Sequence, residues 1–409
     1  MPVNAERLAR DFAAIARCTH SPGAGASRPT FSAAWRQACD HCLAEAERAG
    51  CRSWTDAAGN IHIRPRGLPD EAAVWLAGSH LDSVPHGGDY DGVAGVLAGI
   101  ECLRAAADES QTIPLEVIIF AEEEGTTFGL GMLGSRGWAG ALDAATLAAL
   151  RNAAGETYWE AGRPHGADAD RLAADRLDPG RYAGFLEVHI EQGPALWASG
   201  RPLALVTAIA GRRQFRGSLT GQANHAGSTS MTDRRDALAG AAEAITAIEA
   251  VPARVGPQVV ATVGRLEVRP NAVNVIPSTA SFTIDLRAPT DRELDEAEAQ
   301  IREGLDAIAA CRGLALELEL TESQPAVALD AGLAERVRQA AARQGITDLA
   351  EAVSGALHDA AILAPLVPTV MLFVASRDGI SHNPGEESRV ADIAVAAGLL
   401  HETVCDAPA

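Results

Sequence analysis

The sequence predicts an α/β protein with a mainly parallel central sheet, interrupted by an inserted two-layer α+β domain. Three observations point there. Four apolar runs lead into loops rich in histidine and carboxylate, around His80, Glu122, His189 and His382. In open parallel sheets the strand ends that share one edge are where ligands bind. Segments of helical periodicity separate these runs, the alternation of an α/β domain. Between about 211 and 325 the order changes to β-α-β-β-α-β, the pattern of a separate two-layer unit. The main domain would then be 1–210 with 326–409, and the insert 211–325.

Composition bounds the function. At 409 residues the chain can hold two domains and a large core. No apolar run approaches the ~18 residues of a membrane span, and Met1–Arg17 lacks a signal-peptide core. A net charge of −20 without a basic stripe argues against nucleic acid or an anionic membrane as partner. All 34 basic residues are arginine, which excludes Schiff-base lysine chemistry. The seven cysteines have no regular spacing. Cys39-x-x-Cys42 lies in a helix-like run and reads as packing, consistent with a reduced, cytoplasmic protein.

Two helical patterns, Glu6–Cys18 and Ser32–Ala49, open the chain. A turn at Asp56–Asn60 leads into Ile61-His62-Ile63-Arg64, whose alternation predicts a strand with His62 on its solvent side. The apolar run Ala73–Ala77 ends in Gly78-Ser79-His80-Leu81-Asp82, then Gly87-Gly88-Asp89-Tyr90-Asp91-Gly92, before a helix over Val93–Ala107. Pro114–Ala121 is a buried strand running into Glu122-Glu123-Glu124-Gly125. Residues 141 to 183 are helical pieces with His165 at the surface. Tyr182–Ile190 is a third strand, carrying His189 and followed by Glu191-Gln192-Gly193-Pro194. In the insert, strands are expected at Arg216–Thr220, Val259–Leu266, Thr279–Leu286 and Leu314–Leu320, with helices at Asp233–Ala250 and Glu293–Cys311. The main domain resumes with a helix at Ala334–Ala342 and a strand at Val367–Val374. The loop after that strand carries His382, and a final helix covers Val390–Val404.

Imidazole nitrogens and carboxylate oxygens without thiolates suit zinc, manganese or cobalt. Two imidazoles and a shared carboxylate could hold one ion; the same carboxylate, another carboxylate and another imidazole could hold a second. Two ions about 3.5–4 Å apart can bind one water, lower its pKa and polarise a carbonyl. A spare carboxylate beside that water can act as general base and then protonate a leaving nitrogen. The chemistry that follows is hydrolysis of an amide-like C–N bond.

The segments GSHxD, GGxYDG, EEG, HIEQGP, GxANHAG, NVIP, DxR and GISHNPxE occur here in that order, from about residue 50 to 390. In this the chain resembles the amidase/hydantoinase/carbamoylase family of di-metal amidohydrolases, within the aminoacylase–carboxypeptidase clan. That family contains N-carbamoyl-L-amino acid hydrolases, β-ureidopropionase-like enzymes and allantoate amidohydrolases. The resemblance implies a di-metal aminopeptidase-like catalytic domain with an inserted lid and dimerisation domain, and two divalent ions per subunit. His80, Asp91 and His189 would hold one ion; Asp91, Glu124 and His382 the other. Glu123 matches the general base, leaving Glu122 as an extra carboxylate, and Asp82 matches the residue that orients His80. Gln192 resembles a substrate contact, and His225 the group that stabilises the developing oxyanion as a cationic donor, often across a dimer. Asn274 and Arg287 match groups that hold a substrate carboxylate, and His358 matches an active-site histidine. Gly211 and the segment near Gln324-Pro325 are hinge candidates.

The activity so implied is hydrolysis of the ureido C–N bond of N-carbamoyl-L-amino acids, with allantoate as the alternative substrate. An aminoacylase or peptidase, or a non-catalytic metal-binding protein, follows behind. Three departures bear on the substrate pocket rather than the metal ligands. Thr126-Thr127 stands where many relatives have an arginine, Ser230 where proline is common and Leu357 where glycine is common.

Overall fold

The structure is a computed structural model and describes residues 3–405. It divides into two compact units: the chain up to Thr207 with Leu329–Ala352 and the part from Leu357 onward, and Ala208–Ala328 with Val353–Ala356. The strands in chain order are β1 (Cys51–Thr55), β2 (Ile61–Pro65), β3 (Val74–His80), β4 (Leu115–Phe120), β5 (Tyr182–Ile190) and β6 (Leu203–Ile209). The second unit follows with β7 (Gly211–Thr220), β8 (Asn224–His225), β9 (Val260–Arg269), β10 (Val275–Ile276), β11 (Thr279–Ala288) and β12 (Ala315–Gln324). The remaining strands are β13 (Val327–Ala328), β14 (Ala350–Ser354) and β15 (Thr369–Val374). Among the described residues no helix is long and apolar enough to cross a membrane.

The first unit is built on a sheet of order β1-β2-β4-β3-β5-β15-β6, with β14 beside β6. Its centre is the parallel set β4-β3-β5-β15 that the apolar runs predicted. The flanking pairs β1–β2, β2–β4 and β15–β6 are antiparallel. Every residue of β3, β4 and β15 is buried, which is why they read as unbroken apolar runs. The helix Val93–Asp108 is buried over nearly its whole length and covers the sheet. Parallel pairing puts the carboxyl ends of four adjacent strands on one edge. The N-terminal helix Ala5–Ile15 is capped by Asn4, and Leu8, Phe12 and Ile15 make its buried stripe.

The second unit is an antiparallel sheet of order β12-β7-β11-β9. Helices Ala237–Ala250 and Asp291–Arg312 close one core with it, made by Phe215, Leu219, Phe282 and Ile284 against Ala244, Ile301 and Leu305. Burial along β11 alternates residue by residue, leaving Asp285 and Arg287 on the face away from that core.

Two expectations are corrected. His62 is not on a solvent face: β2 lies inside the sheet between β1 and β4, and His62 is only 2% exposed. Its Nδ1 lies 2.8 Å from Glu116 Oε1 and its Nε2 3.3 Å from Asp56 Oδ2. The Trp54 ring stacks on it at 5.0 Å and Trp138 meets it edge-on at 5.1 Å. Burial opposes the imidazolium, but the two carboxylates win and raise its pKa to about 9. His165 is half-buried rather than at the surface, stacked on Phe31 at 5.4 Å. The strands β1, β6 and β14 were not singled out in the sequence; all three lie at or near the margins of the sheet.

Candidate active site

The carboxyl edge of the parallel strands gathers two groups of metal-type donors, His80, Asp91 and His189, and Asp91, Glu124 and His382. The two groups share Asp91, and each of its oxygens faces one of them. Oδ1 is 3.0 Å from His189 Nε2 and 3.8 Å from His80 Nε2. Oδ2 is 3.1 Å from His382 Nε2, which stands 3.4 Å from Glu124 Oε2. Donors around a tetrahedral ion with bonds near 2.05 Å are separated by about 3.3 Å, so these spacings are of the order that metal ligation needs.

Local structure presents the right atoms. His80 is the last residue of β3 and His189 the penultimate residue of β5. His80 Nδ1 is 3.0 Å from the Asp82 carbonyl and His189 Nδ1 2.9 Å from the Ile190 carbonyl. A carbonyl can only accept, so Nδ1 carries a proton and Nε2 is the nitrogen turned to the cluster. The Asp82 carboxylate was expected to orient His80. It stands 3.7 Å from Nδ1 and instead accepts the backbone N–H groups of Glu123 and Glu124 at 3.3 and 3.1 Å, which fixes the glutamate turn. Glu122 ties down the far side of that turn by accepting from the N–H groups of Thr127 and Phe128 at 2.7 and 2.8 Å. Gly92 must be glycine: its φ is +66° and a Cβ would lie 2.5 Å from the His80 ring.

Glu123 belongs to neither donor group, yet its Oε2 lies 3.7 Å from His80 Nε2. Burial, then the neighbouring carboxylates Asp359, Glu124, Asp82 and Asp91, hold its pKa well above the usual value. Glu124 is pushed up to about 8 by burial and Asp91. Burial works against ionised Asp91 too, but hydrogen bonds from His189 and His382 hold it well below the ordinary range. Burial also lowers His80 to about 4, while Asp91 outweighs burial at His189 and brings it to about 9. The carboxylates are crowded together here, and Glu124 Oε1 is buried without a hydrogen-bond partner. Both features, with an all-nitrogen-and-oxygen donor set, fit divalent cations.

Gln192 was expected to touch substrate; its Nε2 donates to Asp91 Oδ2 at 3.0 Å and to Ser381 Oγ at 3.2 Å. His358 is buried with its ring 4.4 Å from that of His189, and with Glu187 these two form a further donor group behind the first. Residues that sequence reasoning passed over complete the support. Glu386 Oε1 accepts the N–H groups of Tyr90 and Asp91 at 2.9 and 3.0 Å, and its Oε2 accepts from Ser381 at 3.0 Å. A Cβ on Gly88 would fall 2.1 Å from that carboxylate. Arg28 is fully buried and donates from Nε to the Leu81 carbonyl at 2.9 Å. Glu386 closes the GISHNPxE segment and so was visible in the sequence; Arg28 had no such signal.

In the second unit, β8 and β10 pair His225 with Val275, and Ala226 N–H donates to the Asn274 carbonyl at 3.0 Å. His225 Nδ1 accepts from the N–H groups of Gly227 and Ser228 at 3.0 and 3.2 Å. With Nδ1 engaged as an acceptor, Nε2 is the ring nitrogen left to donate. Arg287 lies towards the other end of β11. From Thr279, eight residue rises of about 3.3 Å put it roughly 26 Å along the strand. Asp285 engages its Nε and Nη2 at 2.7 and 3.3 Å, and the Gly355 carbonyl accepts from Nη1 at 2.7 Å. One N–H on each Nη remains for a bidentate acceptor.

Residues 76–406 match Peptidase family M20/M25/M40. The chain is 38% identical over 404 residues to an N-carbamoyl-L-amino acid amidohydrolase of Geobacillus stearothermophilus, covering 98% of each chain. It is 32% identical over 377 residues to an allantoate amidohydrolase of Escherichia coli (strain K12), covering 91% of this chain and 90% of the other. A crystal structure of an amidase of the hydantoinase/carbamoylase family from Burkholderia multivorans is similar at a TM-score of 0.91 and 35% identity, over 98% of both chains.

Proposed function

The chain belongs to Peptidase family M20/M25/M40, and on that premise we propose that it hydrolyses the ureido C–N bond of N-carbamoyl-L-amino acids, giving amino acid, carbon dioxide and ammonia. One observation carries the reading: Asp91 turns one oxygen to His80 and His189 and the other to His382, with Glu123 left spare beside them. We assign His80, Asp91 and His189 to one divalent ion, and Asp91, Glu124 and His382 to a second, the ions being zinc, manganese or cobalt. Bound there, such ions supply Lewis acidity and lower the pKa of water. Glu123 takes the proton of the attacking water and returns it to the leaving nitrogen; its raised pKa suits the second step. The Nε2–H of His225 suits a donor to the oxygen that gains charge. Arg287 and Asn274 are assigned to the substrate carboxylate, and Gln192 and His358 to support of the site.

The length of β11 between Arg287 and the Asn274–His225 pair supports assigning the two to different copies of the chain at one substrate. A homodimer through the inserted domain supplies that. Its edge strand β9 has exposed Val260 and Leu266, and Val273 beside it is fully exposed. We place the enzyme in the cytoplasm, where its free cysteines stay reduced. Allantoate, with the same ureido and carboxylate groups, is the second reading, favoured by the similarity to an allantoate amidohydrolase.

The test is ammonia release by metal-stripped protein re-supplied with zinc, manganese or cobalt. The panel is N-carbamoyl-L-amino acids, N-carbamoyl-β-alanine and allantoate, with N-acetyl amino acids followed by free-amine detection. Metal-dependent ammonia from a carbamoyl amino acid supports the proposal; release from allantoate alone moves it to the second reading. Amine from acetyl substrates alone overturns both.

A further inference from the structure

The loop that carries Ser381, His382 and Glu386 has two feet, and an arginine stands at each. The guanidinium carbon of Arg377 lies over the Trp197 ring at 5.4 Å, and that of Arg389 over the same ring at 3.9 Å. Both are within cation–π range. Trp197 is on the short helix Ala195–Ser199, directly after the turn that holds Gln192. The two segments are pressed together next to it: a Cβ on Gly379 would sit 2.7 Å from the Pro194 nitrogen. Gln192 N–H donates to Ser376 Oγ at 3.2 Å, and Arg377 N–H closes the loop onto the Glu387 carbonyl at 2.8 Å. Arg377 also pairs with the Glu387 carboxylate.

This arrangement is asymmetric with respect to the donors. His80 and His189 sit on buried central strands, whereas the His382 side chain is half exposed on the loop. We propose that Trp197 is a positioning residue: its indole, shared by Arg377 and Arg389, sets the loop so that His382 meets Asp91 and Glu124, and governs the affinity of that one site. The inference rests on the two-ion reading above.

Calorimetric titration of the metal-stripped protein with manganese or zinc tests it, with bound ions counted by elemental analysis. His382→Ala identifies the binding step that belongs to Asp91, Glu124 and His382. Trp197→Ala should weaken that step by about 10-fold or more and leave the other within about 2-fold, the scale expected when a ligand's support is removed. Trp197→Phe, which keeps an aromatic face, should recover most of the loss. Arg389→Gln removes one cation from the ring at a half-exposed position, and should weaken the same step even where the alanine variant fails to fold. Equal weakening of both steps, or none in either variant, overturns the proposal. Fewer than two ions on the unmodified protein overturns the two-ion reading itself; two ions without the selective loss overturns the role of Trp197 alone.

Discussion

Replacing His62 by glutamine should flatten the stability of the first unit between pH 6.5 and 9. His62 is buried in the sheet between Glu116 and Asp56, which raise its pKa from 6.5 to about 9. A raised histidine stabilises the fold fully below its unfolded pKa, and that contribution disappears as pH climbs through the folded value. At about 1.36 kcal/mol per pKa unit, the change from 6.5 to about 9 is worth about 3 kcal/mol. Urea unfolding followed by tryptophan fluorescence suits the site, because Trp54 and Trp138 touch the ring. The unmodified protein should lose about 3 kcal/mol across this range beyond what the variant loses. The pKa can also be read directly by NMR of histidine-labelled protein. A His62 pKa at or below 6.5, or parallel pH profiles for the two proteins, refutes the argument that the carboxylates outweigh burial.

Other predictions follow from the site. Glu123→Gln should retain its metal content and lose about 10²- to 10⁴-fold in kcat, the range of general acid–base catalysis; near-normal turnover would remove Glu123 from that role. Glu386→Gln turns an acceptor of the Tyr90 and Asp91 N–H groups into a weaker one. With about 1.5–3 kcal/mol in each hydrogen bond to a charged group, it should weaken both metal-binding steps, since both use Asp91. Arg287→Lys removes the fork left by Asp285 and should raise KM about 10-fold or more with a smaller change in kcat; an effect on kcat alone would contradict a ground-state contact. Metal-stripped protein should melt lower at pH 8 than at pH 5. Burial raises Asp82 to about 6 and Glu124 to about 8, and stability from a raised carboxyl is lost as pH climbs through its folded pKa. A flat melting profile after stripping would contradict that.

What was legible in the sequence was legible because it is local. Apolar runs broken by glycine, histidine and carboxylate mark where β3, β4, β5 and β15 end, and a parallel sheet must put those ends together. Strand order placed His80, Asp91, Glu124, His189 and His382 among the candidates, the family resemblance singled out these five, and the structure brings all five to one edge. The helices Val93–Asp108 and Asp291–Arg312 were equally readable, the first from an apolar run too long for a strand and the second from a one-sided apolar stripe.

The tertiary structure decided what depends on distant partners. Alternation along β2 shows that one face is more polar, but whether His62 meets water or Glu116 depends on β4 pairing beside it. The role of Glu386 depends on a hydrogen bond to Tyr90 across 296 positions, and that of Trp197 on two arginines in a remote loop. The orientation of His225 depends on two backbone N–H groups that only the folded turn aims at its Nδ1. Sequence order determines which donors reach the sheet edge, since strand direction is a local property. Which oxygen of Asp91 faces which histidine is a matter of ångströms, fixed only when the supporting segments pack against one another.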